Sequence, residues 1–356
     1  MAQITAAMVK ELREQTGAGM MECKKALTET DGNMEQAVEV LKKSGAAKAE
    51  KKASRIAAEG ITRVAASGNT AVVVEVNSET DFVAKNEVFQ AFVQSVADKA
   101  LAANVDKAGD GENVCDILGM KAELDEKILT IGEKLSIRRF EKVTGDCVAS
   151  YIHGGGRIGV LVAGNGDASD AAKDALTNIA MQIAAMNPQY VSRNDISADE
   201  LAKIKEITID SSLNDTFTLP KPVLQGLLDK AVKVWSEEDV AIYEEKKSNM
   251  NYLPNFLSKE AKSQLAEIAL ADKDAIVENK IFAGLVEGRI SKQLKEICLL
   301  DQTYVKAEDG KQTVAQYLAS VNKSLVIAKM IRFEVGEGME KKNDDFAAEV
   351  AAQAGL

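Results

Sequence analysis

The chain has 356 residues, of which 46% are apolar and 28% charged, and a length of about 100 to 200 residues per domain predicts two or three folding units. The composition is typical of a globular protein, and no apolar run approaches the ~18 residues of a membrane span, so we expect no membrane partner. The net charge of -11 argues against stable nucleic-acid binding, because phosphate contacts need clustered Lys and Arg.

The amino-terminal sequence MAQITAAMVKELREQTG carries no sign of a targeting peptide. It has neither a continuous apolar region nor a small-residue cleavage site, and it contains acidic residues, which transit peptides avoid. We therefore expect a cytoplasmic protein.

Residues 1–55 are predicted to form a three-helix module followed by a basic linker. Thr5 is a candidate cap and Gly17 a candidate stop for the first helix, and the third helix is predicted to end at Gly45. A unit of this size has a small core of its own, so its exposed apolar residues carry information.

Two features of this module concern partners. Met20 and Met21 are adjacent, and adjacent helical residues point about 100° apart, so both can hardly face the same core. The basic segment 42–55 has the composition of a solvated linking helix, although an RNA contact is the alternative interpretation.

After the linker the apolar period changes from 3.6 to 2, which predicts a first core subdomain over 56–144. GITRVAA and TAVVVEVN alternate around a Gly-Asn turn and are typical of a β-hairpin. A helix from about Ala84 to Ala103 should follow, and then a helical stretch near 117–129.

A second antiparallel sheet is predicted next, mainly in a subdomain built from 145–196 and 301–338. The helix DAAKDALTNIAMQIAAM should stop at Asn187, because proline biases the preceding residue out of the helical region. The candidate strands of this sheet are KLSIRRFEKV, CVASYIHG, RIGVLVAGN and LVIAKMIRFEVG.

Residues 197–300 read as helical almost throughout, with breaks at 216–222 and 251–256. This coiled-coil-like insertion could be a long helical arm or a small extra domain. The last segment, 339–356, has the pattern of an amphipathic helix. The predicted fold class is therefore α+β: a three-helix module, two antiparallel-sheet subdomains, a long helical insertion and a carboxy-terminal helix.

The sequence shows no constellation of an enzyme active site, so we expect a protein without catalytic residues, metal or cofactor. His153 lies in SYIHGGGRIG, where a strand follows the glycines and a tight hairpin explains them better than a phosphate loop. The four cysteines form no CxxC pair and are expected to be reduced thiols in the core.

One aromatic residue has no obvious place in either neighbouring element. In SETDFVAKN, Thr80 or Asp81 could cap a helix whose first turn is covered by Phe82. Alternatively, Phe82 could be exposed at the strand-to-helix corner, where aromatics serve as interface anchors. Periodicity cannot separate the two interpretations.

Two long segments resemble the signatures of one family. LREQTGAGMMECKKAL at 12–27 and EVNSETDFVAK at 75–85 are similar to the two signatures of the bacterial translation elongation factor Ts family. Further similar segments include HGGGRIGVLV and IRFEVGEGMEKKNDDFAAEVA, so the resemblance reaches both ends of the chain.

The resemblance implies guanine-nucleotide exchange on the GTPase elongation factor Tu, which would be bound in its GDP form and would lose GDP and Mg²⁺. It implies possible dimerisation through the helical insertion; the alternative function is a scaffold with a ubiquitin-associated-like module and no exchange activity. Displacement of the partner's Mg²⁺ would fall to Thr80, Asp81, Phe82 and Val83, and partner contacts to Leu12, Arg13, Met20, Met21, His153 and Phe346.

Overall fold

The computed structural model describes residues 3–109 and 111–340, and the chain divides into two compact units. The sheet unit comprises Met1–Asn187 and Ala315–Leu356, and the helical unit comprises Pro188–Val314. Helices combine with two antiparallel sheets, which confirms the α+β class. The predicted carboxy-terminal helix, with Phe346, lies outside the described residues apart from its first two positions.

The sheet unit begins with the expected three helices. Thr5 caps the first by accepting a hydrogen bond from the Met8 amide at 3.3 Å, and Gly17 ends it in the left-handed conformation with φ of 65°. Their apolar faces form one small core that includes Val9, Leu12 and Leu27. The helices are α1 (Ala6–Thr16), α2 (Met20–Glu29) and α3 (Met34–Lys52).

The prediction that α3 ends at Gly45 is wrong, because the helix continues to Lys52. Gly45 lies where α3 packs against helix α7, whose position in the chain is Lys121–Ile131. A Cβ atom at residue 45 would lie 3.2 Å from the Asp125 carbonyl oxygen. Glycine is therefore explained by close approach of two helices, although the same residue often marks a helix end.

The first sheet has four strands in the order β1-β2-β4-β3, and all neighbours are antiparallel. The predicted hairpin is confirmed as the β1-β2 pair. The strands are β1 (Glu59–Ser67), β2 (Thr70–Ser78), β3 (Lys107–Ala108) and β4 (Leu135–Thr144).

Strand β4 corrects the prediction that KLSIRRFEKV belongs to the second sheet. It pairs with β2 along its whole length, from Thr70 opposite Thr144 to Ser78 opposite Leu135. Nearly all of β2 is buried, as expected of a central strand that needs a partner on each edge. The apolar pattern of β4 predicted the strand but could not identify that partner.

Helices cover one face of this sheet, with Phe89, Phe92 and Val96 in a core shared with Val72 and Val74. The long helix does not begin at Ala84 as predicted. The Asn86 side chain starts it instead by accepting from the amides of Val88 at 2.8 Å and Phe89 at 3.2 Å. The elements are α4 (Asp81–Ala84), α5 (Glu87–Ala102), α6 (Val114–Ile117) and α7.

The second sheet has three antiparallel strands in the order β5-β6-β7. Its inner face packs on the first sheet through a cluster that includes Val73, Leu161 and Phe333. The helix that packs on β5 and β6 ends at Asn187, as predicted, and Asn187 has the left-handed conformation with φ of 46°. The elements are β5 (Cys147–His153), β6 (Ile158–Asn165), α8 (Asp170–Met186), α15 (Val314–Val321) and β7 (Val326–Glu334).

The helical unit contains its own apolar core. Trp235 is 7% exposed, its ring nitrogen donates to the Ala261 carbonyl oxygen at 3.0 Å, and Leu228, Leu265 and Phe282 belong to the same cluster. A shared core of this kind supports the small extra domain rather than a long arm. The helices are α9 (Ala198–Asn214), α10 (Lys221–Ala231), α11 (Glu237–Lys246), α12 (Lys259–Ala271), α13 (Lys273–Val277) and α14 (Lys280–Ile297).

The four cysteines are buried free thiols, which confirms their prediction as core residues. Burial raises the pKa of Cys115 to about 11, so this thiol stays protonated at neutral pH. None of the helices within 3–109 and 111–340 is long and apolar enough to cross a bilayer.

Candidate functional site

Phe82 lies on the surface at the corner between β2 and α4. Its side chain is 78% exposed, while the next residue, Val83, is buried in the core of the first sheet. The ring is therefore not part of the protein's own core, which decides between the two interpretations of SETDFVAKN. Exposing a whole aromatic ring leaves a large apolar area available to another molecule.

Asp81 is exposed directly beside the ring. Its carboxylate lies 3.8 Å from the Lys85 ammonium group, and both side chains are more than half exposed. A surface ion pair of this kind contributes about 0 to 1 kcal/mol and is easily exchanged for another partner. The corner thus presents an aromatic ring and a negative charge side by side.

Thr80 occupies the cap position of α4, but its hydroxyl does not cap the helix. The hydroxyl donates to Glu133 Oε1 at 2.7 Å, and the Thr80 amide donates to Glu133 Oε2 at 3.0 Å. The Ser78 hydroxyl donates to the Thr80 carbonyl oxygen at 3.0 Å. Thr80 is therefore held on three sides, and with Val83 it anchors the corner.

The Glu79 side chain makes further contacts that hold the corner. Its Oε1 accepts from the Lys134 amide at 2.6 Å and forms an ion pair with Arg55 at 3.2 Å. The Lys134 ammonium group donates to the carbonyl oxygens of Ala53 and Arg55, both at 2.7 Å. The corner is thereby tied to the segment that leaves the three-helix module. Sequence reasoning missed Glu79, Glu133 and Lys134, because their partners lie 24 or more residues away in the chain.

The surface of the three-helix module matches its predicted role only in part. Met20 is 60% exposed and Met21 is 76% exposed, so neither faces the module's core, and Arg13 is exposed as well. Leu12 is different, because it is fully buried in that core. The expectation that Leu12 lies on a contact surface is corrected: it holds α1 in place and leaves the surface to its neighbours.

His153 is exposed at the end of β5, and its Nδ1 lies 3.1 Å from the Tyr151 hydroxyl. The following glycines form the turn between β5 and β6, as the hairpin interpretation predicts. That turn contacts β1, where the Thr62 hydroxyl donates to the Gly156 carbonyl oxygen at 2.8 Å. Helix α4 packs against β1 too, so one strand supports both the Phe82 corner and the His153 turn.

A buried ion-pair network links the first sheet to the chain after β7. Glu75 is fully buried, and its carboxylate accepts from Arg139 at 2.6 Å, from Arg138 at 3.0 Å and from the Gly336 amide at 2.9 Å. The Arg139 guanidinium group lies 4.1 Å from the centre of the Phe333 ring. This network holds the segment that leads to the carboxy terminus.

The described side chains contain no group of three or more His, Cys, Asp or Glu residues placed to hold a metal ion. The raised pKa values of Cys115, Cys147 and Cys298 have burial as their main cause. These buried thiols are part of the protein core and are not accessible to a partner. The candidate partner-binding site is therefore the exposed corner with the Phe82 ring and the Asp81 carboxylate.

Comparison with known proteins agrees with the resemblance found in the sequence. The family model for elongation factor Ts matches residues 79–337 and so begins at the Phe82 corner. The chain is 42% identical to elongation factor Ts of Clostridioides difficile strain 630, over 367 aligned positions that cover 99% of each chain. The chain belongs to the elongation factor Ts family, whose members take part in translation elongation.

Proposed function

We propose that this protein is a guanine-nucleotide exchange factor for elongation factor Tu, and that it promotes the release of GDP and Mg²⁺ during the elongation cycle. It would bind the GDP form of the GTPase, open its nucleotide site and leave when GTP binds. The protein would carry out no chemical step of its own and would act in the cytoplasm. Family membership supports the proposal, and the exposed Phe82 corner carries it.

The corner suits insertion into another protein. Phe82 offers a bare ring at the start of a four-residue helix, and Asp81 places a negative charge beside it. A ring that enters an apolar crevice of the GTPase would displace the elements that bind Mg²⁺ and phosphate. The Asp81 carboxylate would compete for the polar groups that hold the ion, without becoming a ligand itself.

Energetics require more than one contact surface. A ten-thousandfold acceleration of GDP release needs about 5.5 kcal/mol of differential stabilisation. Burying one Phe side chain supplies roughly 1.5 to 3 kcal/mol. Further binding energy must come from other surfaces, for which we propose Arg13, Met20 and Met21 of the module, His153 at the hairpin turn, and Phe346.

Thr80, Asp81, Phe82 and Val83, which we propose for Mg²⁺ displacement, have two different roles. Asp81 and Phe82 would contact the GTPase directly, because they are exposed. Thr80 and Val83 would act indirectly by fixing the backbone of the corner, since Thr80 is hydrogen-bonded to Glu133 and Val83 is buried.

We propose that the protein can form a homodimer through its helical unit. We also propose that it makes no stable contact with nucleic acid. Several large apolar side chains are exposed on this unit, among them Ile207, Tyr252 and Ile281. Measuring the solution mass of the full chain at several concentrations tests this part. A mass that stays at one chain at high concentration contradicts the dimer.

The central test is stopped-flow release of a fluorescent GDP from elongation factor Tu, with and without this protein. We expect release to accelerate with protein concentration and to saturate. Binding must also be reciprocal, so excess GDP should weaken the complex by the same factor by which the protein weakens GDP affinity. An unchanged release rate would exclude the exchange function, and binding of ubiquitin instead would favour the scaffold alternative.

A further inference from the structure

We infer that Glu133 is a positioning residue for nucleotide exchange: its carboxylate locks the backbone before α4, so that Phe82 is presented as a rigid wedge. This inference rests on the proposed exchange function. It adds a residue outside the 75–85 signature, on the loop between α7 and β4.

The amides before α4 need an acceptor from elsewhere in the chain, because the backbone of neither neighbouring element supplies one. The ladder between β2 and β4 ends at the pair of Ser78 and Leu135, so the amides of Glu79 and Thr80 have no strand partner. Helix α4 has four residues, and a helix of one turn is not stable by itself.

Glu133 fills this gap with one side chain. Its Oε2 accepts from the amides of Glu79 at 3.1 Å and Thr80 at 3.0 Å, while its Oε1 accepts from the Thr80 hydroxyl at 2.7 Å. Hydrogen bonds to a charged acceptor are stronger than those between neutral groups. The carboxylate therefore continues the hydrogen bonding of the sheet for two residues beyond its last backbone pair.

The support matters because the Phe82 ring can transmit binding energy to the GTPase only if the backbone that carries it stays rigid. If the corner can move, docking of the ring rearranges the exchange factor instead of opening the GTPase. The energy for opening then falls, while the contact surfaces for binding remain. Loss of Glu133 should accordingly lower the maximal rate of GDP release more than it raises the concentration for half-maximal effect.

The experiment compares Glu133→Ala and Glu133→Gln with the unaltered full chain, and Glu126→Ala is the control. Glu126 lies on α7 seven residues earlier, is exposed, and its carboxylate pairs only with the adjacent Lys127 among the described side chains. We expect Glu133→Ala to lower the saturating rate of GDP release about tenfold, Glu133→Gln to lie between, and Glu126→Ala to match the unaltered chain.

A second comparison separates positioning from a general loss of stability. In a chain that already carries Phe82→Ala, adding Glu133→Ala should cause a much smaller loss than it causes in the unaltered chain, because no ring remains and only Asp81 is left to be positioned. Amide hydrogen exchange over 79–85 should also become faster in Glu133→Ala, with protection of α5 unchanged. An unaltered rate in Glu133→Ala, or losses that multiply with Phe82→Ala, would overturn the inference.

The proposed function fails separately from this inference. If the unaltered chain does not accelerate GDP release, the exchange function is lost, and the role of Glu133 in exchange is overturned with it. If the unaltered chain is active and Phe82→Ala is slow while Glu133→Ala is fast, only the inference about Glu133 is overturned.

Discussion

Phe82 is the residue on which exchange should depend most strongly. Phe82→Ala removes roughly 1.5 to 3 kcal/mol of burial in the complex, which predicts a ten- to hundredfold slower maximal release of GDP. The ring is 78% exposed in the free protein, so the free energy of unfolding should stay nearly unchanged. Stopped-flow release and urea unfolding measure the two quantities.

Tyr252→Ala provides the matched control for this prediction. Tyr252 is 61% exposed but lies in the helical unit, away in sequence from the corner. Its removal should leave GDP release as it is. Equal exchange rates in Phe82→Ala and the unaltered chain would show that the exposed ring has no part in opening the GTPase.

Replacing Glu75 should lower the stability of the fold. Glu75→Gln removes the negative charge between Arg138 and Arg139 and leaves Arg139 with the more exposed Glu337 carboxylate as its ion-pair partner among the described residues. Breaking a buried pair in this way costs about 3 to 5 kcal/mol. The midpoint of urea unfolding should fall accordingly, and Glu39→Gln on the exposed face of α3 should not change it. A Glu75→Gln midpoint equal to the unaltered one would contradict a stabilising network.

At the residue scale, the sequence located the two signatures but did not show which of their residues are buried and which are exposed. Adjacency alone showed that Met20 and Met21 could not share a core. It could not show that Leu12 is buried while Arg13 is exposed within the same signature. The support by Glu133 could not be predicted either, because a hydrogen bond across 53 residues leaves no periodic pattern.

At the scale of elements, the α3-α7 packing depends on the absence of a side chain at residue 45. Gly45→Val would place its Cβ 3.2 Å from the Asp125 carbonyl oxygen, and its methyl groups must displace α7. Overpacking of this kind costs typically about 1 to 3 kcal/mol. We expect the free energy of unfolding of the sheet unit to fall by that amount, measured by circular dichroism in urea.

Gly284→Val is the matched control, because Gly284 is also inside a helix but has open space where a Cβ would lie. It should change the stability of its own unit by less than about 1 kcal/mol. If Gly45→Val unfolds at the same urea concentration as the unaltered chain, α3 and α7 do not pack as closely as the structure shows.

Local patterns predicted elements better than they predicted partners. The β1-β2 hairpin follows from neighbouring residues and a Gly-Asn turn, and α8 ends where Asn187 precedes proline. The prediction that β4 belongs to the second sheet is wrong, because alternation defines a strand and its faces but not its neighbour. The predicted end of α3 at Gly45 is wrong, because glycine has the same local signature at a helix end and at a close helix contact.

At the scale of the whole molecule, the two units have separate apolar cores and should respond separately to core mutations. Trp235, the single tryptophan, lies in the core of the helical unit, so its fluorescence reports the unfolding of that unit. Leu265→Ala in that core should lower the fluorescence midpoint in urea, because replacing a buried Leu by Ala costs about 2 to 5 kcal/mol.

Leu161→Ala creates a comparable cavity between the two sheets, since both leucines are fully buried. It should lower the midpoint of the part of the circular-dichroism transition that the sheet unit contributes, and leave the tryptophan midpoint in place. GDP release measured where both variants are folded distinguishes the roles of the units: Leu265→Ala should match the unaltered chain, because Asp81 and Phe82 belong to the other unit. A slower release by Leu265→Ala, at full tryptophan signal, would instead assign part of the exchange function to the helical unit.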